Sequence, residues 1–270
     1  MDKNSVITVK IYFVDPANFI SIIFNSLIEL EFETYSIPYE YKDKLIGLIP
    51  ENNRNIVFLT IKNKKEVDEY IKYAEDLLKL SGEMVQLGAF VYDNMDEETK
   101  NKFLANNIST IEFSSVQKDS ISIMKNILTM FEARGKRAFI RTKVVGDCKA
   151  YFYLKNKNEP LVAQISDISA TAFSCNLSEE IKFYFTKGDF IDDVTLVLRG
   201  LRIKVTAKVI GFSSENPNFF IFKICNYRIQ DNKIIYEEKA TSENVRKIHE
   251  YIRKCLQEIV ITKLEEMSKK

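Results

Sequence analysis

The chain has 270 residues, of which 46% are hydrophobic and 29% are charged, and its formal net charge is +1. This composition excludes an intrinsically disordered chain and predicts a globular protein with one large core or two ordinary ones. Residues 1–130 hold 14 Lys+Arg and 20 Asp+Glu, a net of −6, whereas residues 131–270 hold 25 and 18, a net of +7. This asymmetry predicts two units, of which the second favours an anionic partner.

The first half alternates strand-like and helix-like segments. Strand patterns lie at 6–14, 33–38, 55–61, 86–92 and 108–114, and helix patterns lie at 16–30, 41–49, 64–80, 96–107 and 119–133. The segment at 55–61 is a continuous apolar run, as expected for a strand buried on both faces. Five strand–helix units predict an α/β doubly wound parallel sheet of flavodoxin-like order.

The second half becomes strand-like after residue 134. Its segments lie at 140–146, 149–160, 161–177, 194–200, 201–218 and 219–229, with Gly, Asn and Pro between them. This pattern predicts an all-β six-stranded barrel. The tail at 242–267 has a single apolar stripe, which predicts an amphipathic helix packed on its own barrel rather than a coiled-coil dimer. The predicted domains are therefore residues 1–130, 131–240 and 241–270.

The cysteines and the single histidine argue against a metal centre. Cys148, Cys175, Cys225 and Cys255 are far apart, form no C-x-x-C pair, and are expected to be apolar core residues in a reducing compartment; the histidine is His249. The N-terminal residues match neither a signal peptide nor a membrane span, so a cytoplasmic location is expected.

A basic cluster marks the point where the helical pattern gives way to strands. Residues 132–144 read "EARGKRAFIRTKV" and contain Arg134, Lys136, Arg137, Arg141 and Lys143. Guanidinium groups are planar forks that bind phosphate oxygens bidentately and stack on bases. Because two arginines four residues apart in a loop can reach a compact anion from two sides, this cluster indicates an anion site. The alternative is that the cations only solvate a linker between the two halves.

A second motif follows in the strand-like region, where residues 166–173 read "SDISATAF". Asp167 and Ser169 are two apart, so on a strand their side chains point to the same side. A carboxylate accepts hydrogen bonds from a guanine edge, and a hydroxyl can satisfy a neighbouring group.

Together the two motifs resemble the PilZ family, in which R-x-x-x-R is followed on a six-stranded barrel by [DN]-x-S-x-x-G. They read Arg137-Ala-Phe-Ile-Arg141 and Asp167-Ile-Ser-Ala-Thr-Ala172, and the resemblance covers residues from about 134 to 236. PilZ domains bind the bacterial second messenger cyclic di-GMP (c-di-GMP). The resemblance implies that Arg137 and Arg141 contact guanine and phosphate, and that Asp167 and Ser169 hold a guanine edge.

The resemblance also implies auxiliary roles for Arg134 and Lys136. The sequence departs from the family pattern at Ala172, where the motif ends in glycine. Two hypotheses follow: a c-di-GMP receptor that reorients its two domains to signal to a protein partner, for instance of the motility or secretion machinery, and a degenerate PilZ-like adaptor that binds a protein without nucleotide. A nucleic-acid-binding role ranks last, because it rests on the positive charge of the second half alone and the cations are not interleaved with aromatic residues in a pattern that suggests base stacking.

The first half resembles a response-regulator receiver domain by its five-unit order. A receiver needs an aspartate at the end of its third strand, where this chain has Thr60, Lys62 and Asn63, and its first strand is followed by Asp15 and then Pro16. Conventional phosphorelay is excluded without that carboxylate, so we expect a pseudo-receiver used for docking or dimerisation. No nucleophile–base constellation, P-loop or dinucleotide fingerprint occurs, which predicts a protein that is not an enzyme and needs no cofactor.

Overall fold

A computed structural model describes residues 9–16, 18–49, 54–81, 84–91, 95–112, 117–134, 137–155, 157–231 and 233–269. The chain divides into two compact units. The first consists of Met1–Ala138 together with Leu256–Lys270, and the second is Phe139–Cys255. The chain therefore passes from one unit to the other twice, after Ala138 and after Cys255.

A parallel sheet forms the centre of the first unit. Its strands are β1 (Val9–Val14), β2 (Thr34–Ile37), β3 (Arg54–Ile61), β4 (Val85–Val91) and β5 (Ile108–Glu112), and they lie in the order β2-β1-β3-β4-β5. Every neighbouring pair is parallel. The central strand β3 has seven of its eight residues buried, because both of its faces are covered.

Helices alternate with these strands, as the sequence predicts. They are α1 (Asn18–Glu29), α2 (Leu45–Leu48), α3 (Val67–Ser81), α4 (Glu97–Ala105) and α5 (Gln117–Met130), with short 3₁₀ turns at Tyr39–Lys44 and Lys64–Glu66. Three aromatic rings from β1, β3 and β4 stack in the core, with centroids 5.3 Å apart for Phe13 and Phe58 and 5.0 Å apart for Phe58 and Phe90. Burial of these rings supplies much of the packing in this unit.

The second unit consists of antiparallel strands. They are β6 (Arg141–Lys143), β7 (Cys148–Tyr153), β8 (Leu161–Ser169), β9 (Ala172–Asn176), β10 (Phe190–Leu198), β11 (Leu201–Phe212), β12 (Phe219–Gln230) and β13 (Lys233–Glu237), and α6 (Glu179–Lys182) follows β9. Pairing runs β11-β10-β7-β8-β9-β12, and β12 also pairs with β11, so six strands pair in a ring. β6 lies beside β8, and β13 pairs with the last part of β12.

One predicted segment is two strands in the structure. Residues 161–177 read as a single strand-like run, but a two-residue turn at Ala170 and Thr171 separates β8 from β9. The turn has none of the Gly, Pro, Asn or Asp residues that usually mark such a reversal. This hairpin matters because it carries the whole second motif.

The long C-terminal helix α7 (Ser242–Ser268) contributes to both units. In the second unit, the Tyr251 hydroxyl accepts a hydrogen bond from the Val145 N–H at 3.2 Å. After Cys255 the helix belongs to the first unit, where the Gln257 amide donates to the Ser36 carbonyl at 2.8 Å and accepts from the Ser36 N–H at 3.1 Å. The apolar stripe predicts packing on the second unit alone, but the helix belongs partly to each unit. Gln257 satisfies the backbone N–H and C=O of Ser36 on the open edge of β2.

Within the described ranges, no helix has the length and hydropathy that crossing a bilayer requires. In the same part of the chain, no group of three or more His, Cys, Asp or Glu side chains is arranged to hold a metal ion.

Candidate functional site

The pairing of β6 with β8 brings the two sequence motifs together. In this antiparallel pair, Arg141 lies opposite Ser169 and Lys143 lies opposite Asp167. Directly opposite residues share a face, and so do residues two apart on one strand, so all four side chains lie on the same face. The residues between them, including the fully buried Ile168, face the core. Two cations, a carboxylate and a hydroxyl therefore occupy one small area of the second unit.

A β-bulge in β8 places Asp167 on this face. The register between β8 and β9 shifts between Ile165 and Asp167, which leaves Ser166 as the additional residue. Ala163, Ile165 and Ile168 are buried, so the inward positions change phase across the bulge. Without the extra residue Asp167 would follow Ile165 into the core, because strand side chains alternate. The bulge is thus what aims the carboxylate outward.

Arg141 and Asp167 form a bidentate ion pair. Arg141 Nε donates to Asp167 Oδ1 and Nη2 donates to Oδ2, both at 2.6 Å. The side chain of Arg141 is 41% exposed and that of Asp167 is 18% exposed, so the pair sits at the surface with the carboxylate on the inner side. A guanidinium has five N–H groups, and three of them are left to bind a further anion.

Ser169 closes the turn between β8 and β9. Its hydroxyl accepts a hydrogen bond from the Ala172 N–H at 3.1 Å and donates to the Ala172 carbonyl at 3.2 Å. The hydroxyl is thereby used locally, with one lone pair remaining, and the residue is only 7% exposed. Ala172 begins β9, and it is not among the described residues with positive φ. Its backbone conformation is therefore one that does not require glycine.

The other cations of the first motif have separate surroundings. The Arg134 guanidinium lies over the Phe32 ring, 5.3 Å from its centroid, which is a cation–π contact within the first unit. Arg137 is exposed and makes no ion pair or hydrogen bond with any residue that the structure describes. Lys136 lies outside the described residues. The structure thus joins Arg141, Asp167, Ser169 and Ala172 in one place, and it leaves Arg137 available in the segment that leads to β6.

Lys143 is the residue that the motif comparison leaves out of the site. It lies directly opposite Asp167 and is exposed, on the same face as Arg141. No salt bridge joins its ammonium group to a described carboxylate. The sequence places Lys143 in the basic cluster, and its spacing of two from Arg141 on a strand-like segment is the signal that sets it on the same face.

An ion pair lies at the carboxyl-terminal ends of two strands of the parallel sheet. Asp15 follows β1 and Lys62 follows β3, and their side chains form an ion pair. A cation therefore lies just past the end of the third strand, where a receiver domain needs its phosphate-accepting carboxylate. This agrees with the absence of an aspartate from that stretch of the sequence.

Comparison with known proteins gives similarities to solved structures alone. No protein-family model matches the chain, and no curated protein matches it either. Escherichia coli YcgR in complex with c-di-GMP has a TM-score of 0.36 and 15% identity, over 49% of this chain and 51% of YcgR. The isolated PilZ domain of YcgR with c-di-GMP has a TM-score of 0.34 and 14% identity, over 48% of this chain and 98% of that domain.

The inhibitor of motility MotI/DgrA from Bacillus subtilis has a TM-score of 0.32 and 12% identity, over 44% of this chain and 51% of that protein. The matched region is thus about half the length of MotI/DgrA and of the YcgR chain solved with c-di-GMP. The chain resembles PilZ-domain proteins, as its two motifs predict. TM-scores below 0.4 assign no ligand to it, so the functional argument rests on its own residues.

Proposed function

We propose that this protein is a non-enzymatic, cytoplasmic receptor for c-di-GMP. The observation that carries the proposal is the pairing of β6 with β8, which sets Arg141 from the first motif beside Asp167 and Ser169 from the second. Two motifs that are separate in sequence but adjacent on one strand pair form a binding site more readily than either does alone. The PilZ domain of YcgR, to which the chain is similar, is solved with c-di-GMP.

The ligand chemistry suits the residues. c-di-GMP carries two phosphates and two guanines, so its receptor needs fixed cations and acceptors for the guanine N–H edge. Arg141, held by Asp167, would bind phosphate or guanine with its remaining N–H groups. Arg137 would close on the same ligand from the segment before β6. Asp167 has lone pairs left for a guanine edge, and Arg134 and Lys136 would add positive potential.

The architecture supports a receptor of two parts. The strand order β2-β1-β3-β4-β5 is the flavodoxin-like order, which supports a pseudo-receiver in residues 1–130. The ring of six paired strands supports a PilZ-like barrel in residues 131–240, followed by the helix of residues 241–270. The ion pair of Lys62 with Asp15 past the third strand argues against phosphotransfer, and we propose a docking role for the pseudo-receiver in its place.

Signalling would proceed by reorientation of the two parts. Ligand binding would order the arginine-bearing segment against the barrel and thereby move the pseudo-receiver, which would present a surface to a protein partner. Because the chain also crosses between units within α7, that helix would have to bend or shift near Cys255 for such a movement. Small-angle scattering with and without saturating ligand tests this step, and superimposable profiles would contradict it.

The alternative is a PilZ-like adaptor that binds a protein without nucleotide. Two observations favour it: Asp167 already has a cationic partner, and both the donor and an acceptor site of Ser169 are used in the turn. Calorimetry of the whole chain with c-di-GMP separates the two hypotheses. Saturable binding with one fixed stoichiometry supports the receptor, and no heat at millimolar ligand supports the adaptor.

A further inference from the structure

The hairpin of β12 and β13 ends the antiparallel sheet with an open edge. β13 lies at the end of the strand order, and in the described part of the chain it pairs with β12 alone. Such an edge presents unpaired N–H and C=O groups, which are a template for another strand. The strand reads "KIIYE" over Lys233–Glu237. Its apolar residues are exposed: Ile234 at 45% and Ile235 at 36%.

The register of the hairpin shows which backbone groups face outward. Gln230 pairs with Lys233 across a two-residue loop, and Arg228 pairs with Ile235. The residues that flank a two-residue loop form a hydrogen-bonded pair, and hydrogen-bonded and non-hydrogen-bonded pairs then alternate. Lys233, Ile235 and Glu237 therefore bond to β12. The N–H and C=O groups of Ile234 and Tyr236 point away from the hairpin.

We propose that β13 pairs with β13 of a second copy of this chain, antiparallel and with a twofold axis through Ile235. This register sets Ile234 opposite Tyr236 of the second copy, so that the outward-pointing N–H and C=O groups of both residues meet as hydrogen-bonded pairs. The two copies use the same surface, as a twofold dimer requires. A register centred one residue away no longer sets Lys233 opposite Glu237 of the second copy.

The charges of the strand are self-complementary in this register. Lys233 at one end lies opposite Glu237 of the second copy at the other end, and the symmetry repeats the pair. Lys233 forms no salt bridge with a described residue. Within the described part of the chain, the one salt bridge of Glu237 is with Arg228, at 3.4 Å. Opposite charges across an antiparallel pair are favourable and like charges are unfavourable. A single lysine would protect the edge from pairing, but a strand with opposite charges at its two ends selects a copy of itself.

The apolar face of the hairpin would be extended by the same pairing. Tyr227, Ile229, Ile234 and Tyr236 share one face, because Tyr227 is opposite Tyr236 and Ile229 is opposite Ile234. Ile229 is 70% exposed and Tyr227 is 42% exposed. Tyr236 stacks on Phe190 with centroids 4.1 Å apart, which fixes the hairpin to the rest of the unit. In the dimer this face becomes a continuous four-stranded surface. The proposal does not rest on nucleotide binding.

Sedimentation equilibrium of the full chain tests the proposal. Since one five-residue strand pair is a small interface, we expect the average mass to rise from 31.4 kDa toward twice that value between about 5 and 500 µM protein. Lys233→Glu and Glu237→Lys should each weaken self-association about tenfold, because both place like charges opposite each other. An equimolar mixture of the two variants should associate again, since each strand-end glutamate of the first variant then meets a lysine of the second.

Two further variants separate the edge from general surface effects. Ile234→Pro removes an outward N–H without breaking a bond inside the hairpin, so it should abolish the dimer while the circular dichroism spectrum stays unchanged. Lys204→Glu makes the same charge change on β11 and is the control. It should leave the dissociation constant of the dimer unaltered. The proposal is overturned if the wild-type chain stays at 31.4 kDa at every concentration, or if it dimerises and neither Lys233→Glu nor Ile234→Pro weakens the dimer.

Discussion

Arg141 and Asp167 meet through two parallel hydrogen bonds of 2.6 Å, although they are not direct partners in the strand register. Arg141 reaches diagonally across from its opposite residue, Ser169, and takes the carboxylate that lies opposite Lys143. The fork geometry fixes the plane of the guanidinium. A fixed guanidinium loses less conformational entropy when a ligand binds, so the pair prepares Arg141 for an anion before the anion arrives.

Arg141→Ala should reduce the affinity for c-di-GMP. A hydrogen bond to a charged group is worth about 1.5–3 kcal/mol, so calorimetry on the full chain should show a loss of roughly tenfold to more than a hundredfold. Arg141→Lys should not restore the affinity, because an ammonium group lacks the planar fork. Arg54→Ala removes a cation from the first unit instead. It is the matched control and should bind c-di-GMP as the wild type does. Unchanged affinity in Arg141→Ala would place the ligand elsewhere.

Arg137→Ala should lower the affinity to a similar degree while the melting temperature stays the same. Its side chain is exposed and makes no ion pair or hydrogen bond among the described residues, so no described contact is lost with it. Calorimetry checks the loss of affinity, and thermal melting checks that the melting temperature is unchanged. Measurable binding that survives the Arg137→Ala/Arg141→Ala double change would show that the basic segment is merely a solvated linker.

Asp167 is expected to act largely through Arg141, and a double-mutant cycle measures this. Asp167→Ala frees the guanidinium and should weaken c-di-GMP binding about tenfold. If Asp167 positions Arg141, the Asp167→Ala/Arg141→Ala variant should lose less affinity than the two single losses combined. Strictly additive losses would instead indicate that Asp167 contacts the ligand independently. Each change breaks a bidentate pair whose carboxylate is 18% exposed, so chemical denaturation should show a loss of about 1 kcal/mol in the free energy of unfolding.

Glu238 should stay ionised at pH values well below the pKa of an ordinary glutamate. Hydrogen bonds from Lys208 and Lys223 lower the pKa of this carboxyl from 4.5 to about 2. A depressed folded-state pKa means that its contribution to stability is present above the unfolded pKa near 4.5 and is lost as the pH falls through about 2. NMR titration of the side-chain carboxyl checks the value. In Lys208→Met/Lys223→Met the pKa should return toward 4.5, and no such change would mean that the lysines do not hold this carboxylate.

Local patterns predict the elements better than they predict the site. The alternation of strands and helices follows from periodicity within each segment, and the two motifs are visible as residues. The bulge at Ser166 and the turn at Ala170 could not be predicted, because the bulge is defined only by the register of β8 with β9, and the turn has none of the residues that usually mark a reversal. The same holds for Lys143, whose relation to Asp167 exists only in the β6–β8 register. β13 lies beyond the last predicted strand-like segment, which ends at residue 229, and only its pairing with β12 defines it.

Ala172→Gly tests whether the departure from the family motif limits binding. Glycine is needed where φ is positive or where a Cβ would clash, but Ala172 begins a strand and has no positive φ. The change should therefore leave the affinity for c-di-GMP within about twofold and destabilise the chain by roughly 0.5–1 kcal/mol, since glycine loses more backbone freedom on folding. Ser169→Ala is the matched comparison at the same turn. It removes both hydrogen bonds to Ala172 and should destabilise by about 1–2 kcal/mol in chemical denaturation. A gain of tenfold or more in affinity for Ala172→Gly would show that the alanine methyl group narrows the pocket.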